Sequence, residues 1–343
     1  MKRLRLMAVV ALSCSGRTEL GTTRDIATLD AGASHGNCSD AVIASDPKGT
    51  TAVAVDGDVV FWGTGDGQLW RRVGGNASQL AKEPKAISTL AVDSTSIFFT
   101  SGDIIYWGVK SVGIIAQFSD SVMDNPVDIA VDDGAVYVLE HGGVGNARIW
   151  KLGRADKTVV ALKGFIDAPV GLAIDDTYIY VRARVADVQF PGPEGVLFRI
   201  KKTGSVPEIL AQGLSSGRLA LDATRVFFIQ QSSPNAHGGV FSIAKSGGPV
   251  TRIADTGSDV LLDLAVDGSH AYVTTDTTHS SFFHGNLRRI ALDGSTNELW
   301  VDAVDTSGFF RVRSGDSGVY WTSGWSGLTP SPHDETTLHR KCK

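Results

Sequence analysis

The chain has 343 residues, a formal net charge of −5 and a pI near 5.9. That balance excludes proteins that grip nucleic acid or anionic membrane through a basic face. Charged residues make up only 20% and there are 39 glycines, which fits short strands and many turns rather than disorder.

The first segment predicts export. Lys2, Arg3 and Arg5 form a basic head and Leu6 to Leu12 an apolar stretch, the layout of a signal peptide. Ala11-Leu12-Ser13-Cys14 then resembles a bacterial lipobox, with Ala11 where Leu is preferred. The resemblance implies that residues 1–14 are signal peptide and lipobox and that Cys14 carries a lipid. It also implies an outer-membrane or periplasmic address, with secretion as the outcome if Cys14 is cleaved off. The apolar stretch is too short to span a bilayer, so membrane contact is expected only through the anchor. Setting Cys14 aside leaves Cys38 and Cys342 as an even pair in an oxidising compartment. Residues 15–37 are polar and small without periodicity and predict a flexible tether, with a reach of roughly 25–30 Å.

The remainder, 38–343, is built on a repeated phrase. Apolar-Ala-apolar-Asp occurs as Val53-Ala54-Val55-Asp56, Leu90-Ala91-Val92-Asp93, Ile129-Ala130-Val131-Asp132, Leu172-Ala173-Ile174-Asp175, Leu219-Ala220-Leu221-Asp222 and Leu264-Ala265-Val266-Asp267. A worn seventh copy lies near Phe310-Arg311-Val312. Each phrase predicts a short strand closed by an Asp that caps the following turn with its own side chain. A second strand of β-branched and aromatic residues follows, such as Ile97-Phe98-Phe99-Thr100, then a third with basic residues and a fourth that is short and apolar. No segment beyond the N-terminus carries a persuasive helical stripe. Four antiparallel strands per repeat of this length predict an all-β, seven-bladed β-propeller. Phrases such as Val319-Tyr320-Trp321-Thr322 and Asp128-Ile129-Ala130-Val131-Asp132 resemble the YWTD and NHL type of propeller from about residue 40 onward, a likeness specific for fold and weak for function.

The last repeat stops one strand short, at Thr337 to Cys342. Residues 41–45 read like a fourth strand and are expected to complete that blade from the front of the chain, removing an exposed edge on each side. This places Cys38 and Cys342 across one hairpin turn, within disulfide reach.

The connections from second to third strand are unequal: tight in the first two blades and long in the rest. Long loops on a rigid scaffold are where function concentrates, so one face is nominated as the binding face, with Arg182, His237, His279, Phe282, Trp325 and His333 on it. Histidines gather in these loops. His141, His237 and His284 with Asp128 are candidate metal ligands, for Zn²⁺ through imidazole or for Ca²⁺ through carboxylates near the channel mouth. Glu140 and His141 are candidate catalytic groups, because Leu139-Glu140-His141-Gly142-Gly143 faintly resembles a loop of propeller sugar dehydrogenases and lyases. There is no Gly-x-Ser-x-Gly elbow, phosphate-binding Gly loop or His-Glu-x-x-His motif. The expectation is therefore a monomeric binding or scaffold module for a protein, peptide or glycan. The alternative is a metal-dependent propeller enzyme, lactonase, lyase or sugar-dehydrogenase-like, with its site at the channel mouth.

Overall fold

The computed structural model describes residues 40–46, 49–113, 115–119, 123–142, 146–185, 195–215, 217–232, 237–276, 285–302, 308–324 and 336–343. The chain divides into two units, Met1–Asn37 and Cys38–Lys343. The second is a ring of seven blades, each of four antiparallel strands, with no helix among the described residues.

The first strand, β1 (Ala41–Asp46), belongs to the last blade. Blade one is β2 (Thr50–Asp56), β3 (Val59–Thr64), β4 (Gln68–Val73) and β5 (Asn76–Lys82). Blade two is β6 (Ile87–Val92), β7 (Ser96–Ser101), β8 (Ile104–Val109) and β9 (Ile115–Gln117). Blade three starts with β10 (Pro126–Val131), β11 (Ala135–Glu140) and β12 (Ala147–Gly153). One long strand, β13 (Val159–Ile174), is both its outer strand and the inner strand of blade four, which continues with β14 (Tyr178–Val185), β15 (Gly195–Lys201) and β16 (Glu208–Leu214). Blade five is β17 (Leu219–Leu221), β18 (Arg225–Gln230), β19 (Gly238–Ala244) and β20 (Thr251–Gly257). Blade six is β21 (Val260–Val266), β22 (His270–Asp276), β23 (Gly285–Ala291) and β24 (Asn297–Asp302). The last blade is β25 (Gly308–Ser314), β26 (Gly318–Gly324) and β27 (Thr336–Cys342), closed by β1, which pairs antiparallel with β27 from Ala41↔Arg340 to Asp46↔Thr336.

Strand periodicity explains the core. Successive side chains of a strand point to opposite faces of the sheet, and in a ring both faces meet a neighbouring blade. Phe98 therefore packs toward blade three while Phe99 packs toward blade one. Phe227 and Phe228 divide in the same way between blades six and four. This keeps the second strands apolar without alternation, and β7 and β11 are buried along their whole length. The first strands border the channel and are less uniformly buried than their apolar phrases suggest, with Ala91 and Val92 half-buried. The buried side chains form one apolar cluster at each blade-to-blade interface. The cluster between the last blade and blade one joins Ile43 and Leu338 to Val53, Val60 and Trp62. Each such side chain contributes roughly 1.5–3 kcal/mol by burial. The tryptophans share this packing role, but on different strands: Trp62 and Trp321 lie on second strands, Trp107 and Trp150 on third strands.

On one face of the ring the repeated Asp does what the sequence predicts, and more. Oδ1 of Asp93, Asp132, Asp175, Asp222 and Asp267 each accepts two backbone N–H groups of the following turn, as in Gly134 N at 2.9 Å and Ala135 N at 2.8 Å for Asp132. Oδ2 faces a cation that ends the third strand of the next blade: Arg154 on Asp93 at 2.5 Å, Lys202 on Asp132 at 2.6 Å, Lys245 on Asp175 at 3.2 Å and Lys343 on Asp267 at 3.0 Å. Lys110 meets Asp56 likewise. Where the series would put a cation against Asp222 there is Leu292, and Arg225 fills the gap: it pairs with Asp222 and donates to the Leu292 carbonyl at 3.3 Å. Between the last blade and blade one, the Asp58 carboxylate accepts from Ser317 instead, at 3.0 Å from N and 2.5 Å from Oγ. This ladder occupies the face of the first-to-second turns, so the second-to-third connections leave from the opposite face.

Candidate functional site: the channel end beneath the long connections

The connections on that opposite face run over residues 65–67 and 102–103 in the first two blades. They lengthen to 141–146, 186–194, 231–237, 277–284 and 325–335 in the others. Below them the first strands line the channel. Strand register makes Ala52, Thr89, Asp128, Gly171, Arg218, Asp263 and Arg311 equivalent, each just before the apolar residue that opens its repeat phrase. Charge in this belt lies in blades three, five, six and seven, and Arg313 adds to it two residues further along β25.

Both carboxylates of the belt are held by neighbouring groups. Asp128 Oδ2 accepts from Leu172 N of the next blade at 3.0 Å and faces Arg218 Nη1 at 3.3 Å, while Oδ1 accepts from Ile129 N at 3.0 Å. The Asp128–Arg218 pair reaches across blade four, which presents only Gly171 there. A Cβ on Gly171 would lie 3.3 Å from Asp128 Oδ2 and 3.4 Å from Arg218 Cδ. Asp263, 2% exposed, repeats the pattern, accepting from Val312 N at 3.1 Å and from Arg313 Nη1 at 2.9 Å. Burial alone would raise its carboxyl, but Arg313, then Arg218 and Arg311, together with the Val312 N–H, hold it below the ordinary carboxylate range.

Arg311 differs from its neighbours. Its backbone N donates to Thr322 Oγ1 at 3.2 Å, but its guanidinium has no hydrogen-bonded or ion-paired partner among the described residues. Burial, followed by repulsion from Arg218, pushes it down to about 10, against a weaker opposing pull from Asp263. Beside it is a narrow cavity lined by Ala52, Ser88, Thr89, Asp128, Arg311 and Arg313, with little more room than one water-sized occupant. The Ser88 and Thr89 hydroxyls both meet Thr100 Oγ1, at 2.8 and 2.9 Å.

The residues singled out from sequence are dispersed. Glu140 is 2% exposed at the end of β11. It accepts from Asp124 N at 2.9 Å and pairs with Arg148 at 3.4 Å, so it fastens the blade two to blade three connection. The neighbouring His141 is held by its backbone N on the Asn125 carbonyl at 3.0 Å. His237 sits at the rim, its Nδ1 3.1 Å from Asp255 Oδ2 on the outer strand β20. Arg182 is 1% exposed on β14 rather than displayed: it lies 5.0 Å over the Phe228 ring, donates to the Ser215 carbonyl, and is pushed down to about 10 by burial. His279, Phe282, His284, Trp325, His333, Cys14 and Cys38 lie outside the described residues. Among the described residues no group of three or more His, Cys, Asp or Glu side chains is placed to hold a metal. Glu140, His141, His237 and Asp128 are not brought together.

The arginines of the channel belt do not stand out in the sequence, where the histidines gather in the loops instead. The signal was available: aligning the seven phrases and reading one position upstream gives Arg218 and Arg311. The worn character of the seventh phrase is itself the substitution of Arg313 for the Ala of the others.

Seven four-stranded blades in a closed ring define the class, a seven-bladed β-propeller. Solved structures of similar fold include hydrazine synthase of Kuenenia stuttgartiensis, with a TM-score of 0.62 and 13% identity over 90% of this chain and 99% of that one. The WD40 propeller domain of Doa1 matches with a TM-score of 0.57 and 11% identity over 87% and 96% of the two chains. A chain of the nidogen/laminin complex matches with a TM-score of 0.54 and 15% identity over 74% and 97%. At these identities the likeness is one of fold. No protein-family model matches the sequence, and no curated protein does.

Proposed function

We propose that the chain is an exported binding module that presents the long-connection face to a protein, peptide or glycan. The carrying observation is the asymmetry between the faces. One is closed by a ladder of carboxylate–cation pairs serving blade cohesion, while five successive blades send connections well beyond turn length from the other. Loops unneeded for closure are where a rigid scaffold carries recognition. The sequence Lys2 to Cys14 supports export with lipidation at Cys14, and residues 15–37 a tether that holds a monomeric ring off the membrane. A Cys38–Cys342 disulfide would lock the closure. Support comes from Cys342 N, which donates to Asp40 Oδ1 at 2.9 Å, two residues from Cys38.

The test replaces 277–284 and 325–335 with Asn-Gly turns in the full chain and probes parent and variant on peptide and glycan arrays. Binding by the parent that is lost in the variant, at unchanged thermal stability, is the expected result. No binding by the parent, combined with a stoichiometric metal that His141→Ala removes, would replace this reading with the enzymatic one. Fatty-acid labelling of the parent and of Cys14→Ser checks the anchor separately.

A further inference from the structure

We propose that the cavity beside Arg311 seats one compact monovalent anion, a halide or the carboxylate end of a ligand, with the Arg311 guanidinium as its counter-ion and the Ser88 and Thr89 hydroxyls on its wall. This goes beyond the binding face and does not depend on it. The channel belt brings three guanidinium groups, Arg218, Arg311 and Arg313, against two carboxylates, Asp128 and Asp263. Both carboxylates are spent on other partners: Asp128 on Arg218 and the Leu172 N–H, Asp263 on Arg313 and the Val312 N–H. Among the described residues one positive charge is left over, and it belongs to Arg311, which feels Asp263 and Asp128 only through space.

A half-buried guanidinium without an ion-pair partner favours a counter-ion beside it. Arginine does not shed its proton at physiological pH, and the described residues offer Arg311 no ion-pair partner, so a counter-ion from outside the protein fits beside it. The cavity lies beside the short side chains Ala52 and Thr89, so the guanidinium adjoins free space. The space is water-sized, which suits a halide or one oxygen of a carboxylate whose remainder lies in the channel, and excludes a phosphate monoester or a sugar ring at the narrow point. The hydroxyls of Ser88 and Thr89 share Thr100 Oγ1 between them, and hydroxyl rotors turn to donate to an anion as readily as to one another.

The experiment follows thermal unfolding of the full chain in sodium isethionate at fixed ionic strength, replacing that salt stepwise with sodium chloride in one arm and sodium acetate in the other. A binding anion raises the midpoint along a saturating curve. Saturation with chloride alone assigns a free halide, and tighter saturation with acetate assigns a ligand carboxylate. Arg311→Leu is expected to abolish the saturable shift and, in isethionate, to melt no lower than the parent, because the uncompensated charge has gone. Arg311→Lys retains a weakened shift. A shift that persists in Arg311→Leu, or none in either arm, overturns the proposal. Should Arg311→Leu fail to fold, bromide soaked into crystals of the parent decides the matter: an anomalous peak within hydrogen-bond reach of Arg311 supports the site, and no peak there refutes it.

Discussion

Lys202 Nζ lies 2.6 Å from Asp132 Oδ2, tying the end of the third strand of blade four to the first turn of blade three. Asp132 therefore serves two levels of structure at once. Its Oδ1 shapes a turn inside its own blade, and its Oδ2 holds the neighbouring blade in place, assisted by the Tyr137 hydroxyl at 3.2 Å. Burial works to raise this carboxyl, but Lys202 and the turn N–H groups outweigh it and leave it below the ordinary range. Asp132→Ala removes all of these at once and is expected to cost about 2–3 kcal/mol, since two backbone donors lose their acceptor. Lys202→Met leaves the turn intact and should cost about 1 kcal/mol or less, as for a partly exposed pair. Urea unfolding of the two variants and their double mutant gives the coupling; additive losses would show that blade cohesion does not use this pair.

Acid should unfold the ring in two stages, each with its own cause. His339, on β27, stacks on Trp321 with ring centroids 5.1 Å apart, and its Nε2 lies 2.6 Å from Ser323 Oγ. Burial pushes its imidazole from 6.5 down to about 4. The unfolded chain then binds a proton that the folded chain refuses, so stability is complete above pH 6.5 and falls as pH drops toward 4. The loss is at most about 3 kcal/mol, from 1.36 kcal/mol per unit. Below about pH 4 the ladder carboxylates take over. Asp93, Asp132, Asp175, Asp222 and Asp267 all lie below their ordinary value, so their contribution is present above that value and vanishes as they protonate. His339→Gln should flatten the first slope and spare the second in chemical unfolding measured from pH 7 to 3.

Much of this architecture was legible because repeats expose their own rules. In five of the six Asp-ending phrases the closing Asp announced its turn, with Asp56 meeting Lys110 instead, and the strand character of residues 41–45 announced that they complete the last blade. Both follow from local chemistry repeated often enough to be seen. The ladder was half visible: basic residues at the third-strand ends were noticed, but their partners lie in other blades, at sequence separations of 54 for Lys110–Asp56 and 70 for Lys202–Asp132. The belt was hidden for a related reason. Asp128 reads in the sequence as a metal ligand, whereas its charge is neutralised by Arg218, 90 residues away. Glu140 beside His141 looked like chemistry in the sequence, while strand direction and burial turn Glu140 to fastening Asp124 N.

Closure of the ring should be separable into packing and covalent parts. Ile43 is 8% exposed and lies in the cluster that joins the chain ends. Ile43→Ala is expected to cost about 2–4 kcal/mol and to make the termini the first site of protease attack. If Cys38 and Cys342 are joined, reduction by dithiothreitol removes a cross-link spanning about 300 residues and lowers stability by up to about 4–5 kcal/mol. Cys342→Ser should match the reduced parent and be indifferent to dithiothreitol. A parent that melts identically with and without reductant contradicts the covalent lock while leaving the packing result standing.

Gly171 offers a sharper probe of the channel belt than any charged residue. Its missing side chain is what lets Asp128 of blade three meet Arg218 of blade five across blade four. Alanine would bring a Cβ to 3.3–3.4 Å of both partners, close enough to demand a shift of a few tenths of an ångström, and is expected to cost less than about 1.5 kcal/mol. Valine adds two methyl groups in the same space. It should separate the pair and cost about 1–3 kcal/mol, in the range seen for overpacking. Parting Arg218 from Asp128 also leaves another guanidinium unpaired, so Gly171→Val should depend more steeply on small anions than the parent does. Equal salt dependence in parent and variant would mean that the belt arginines are neutralised by some means other than the carboxylates named here.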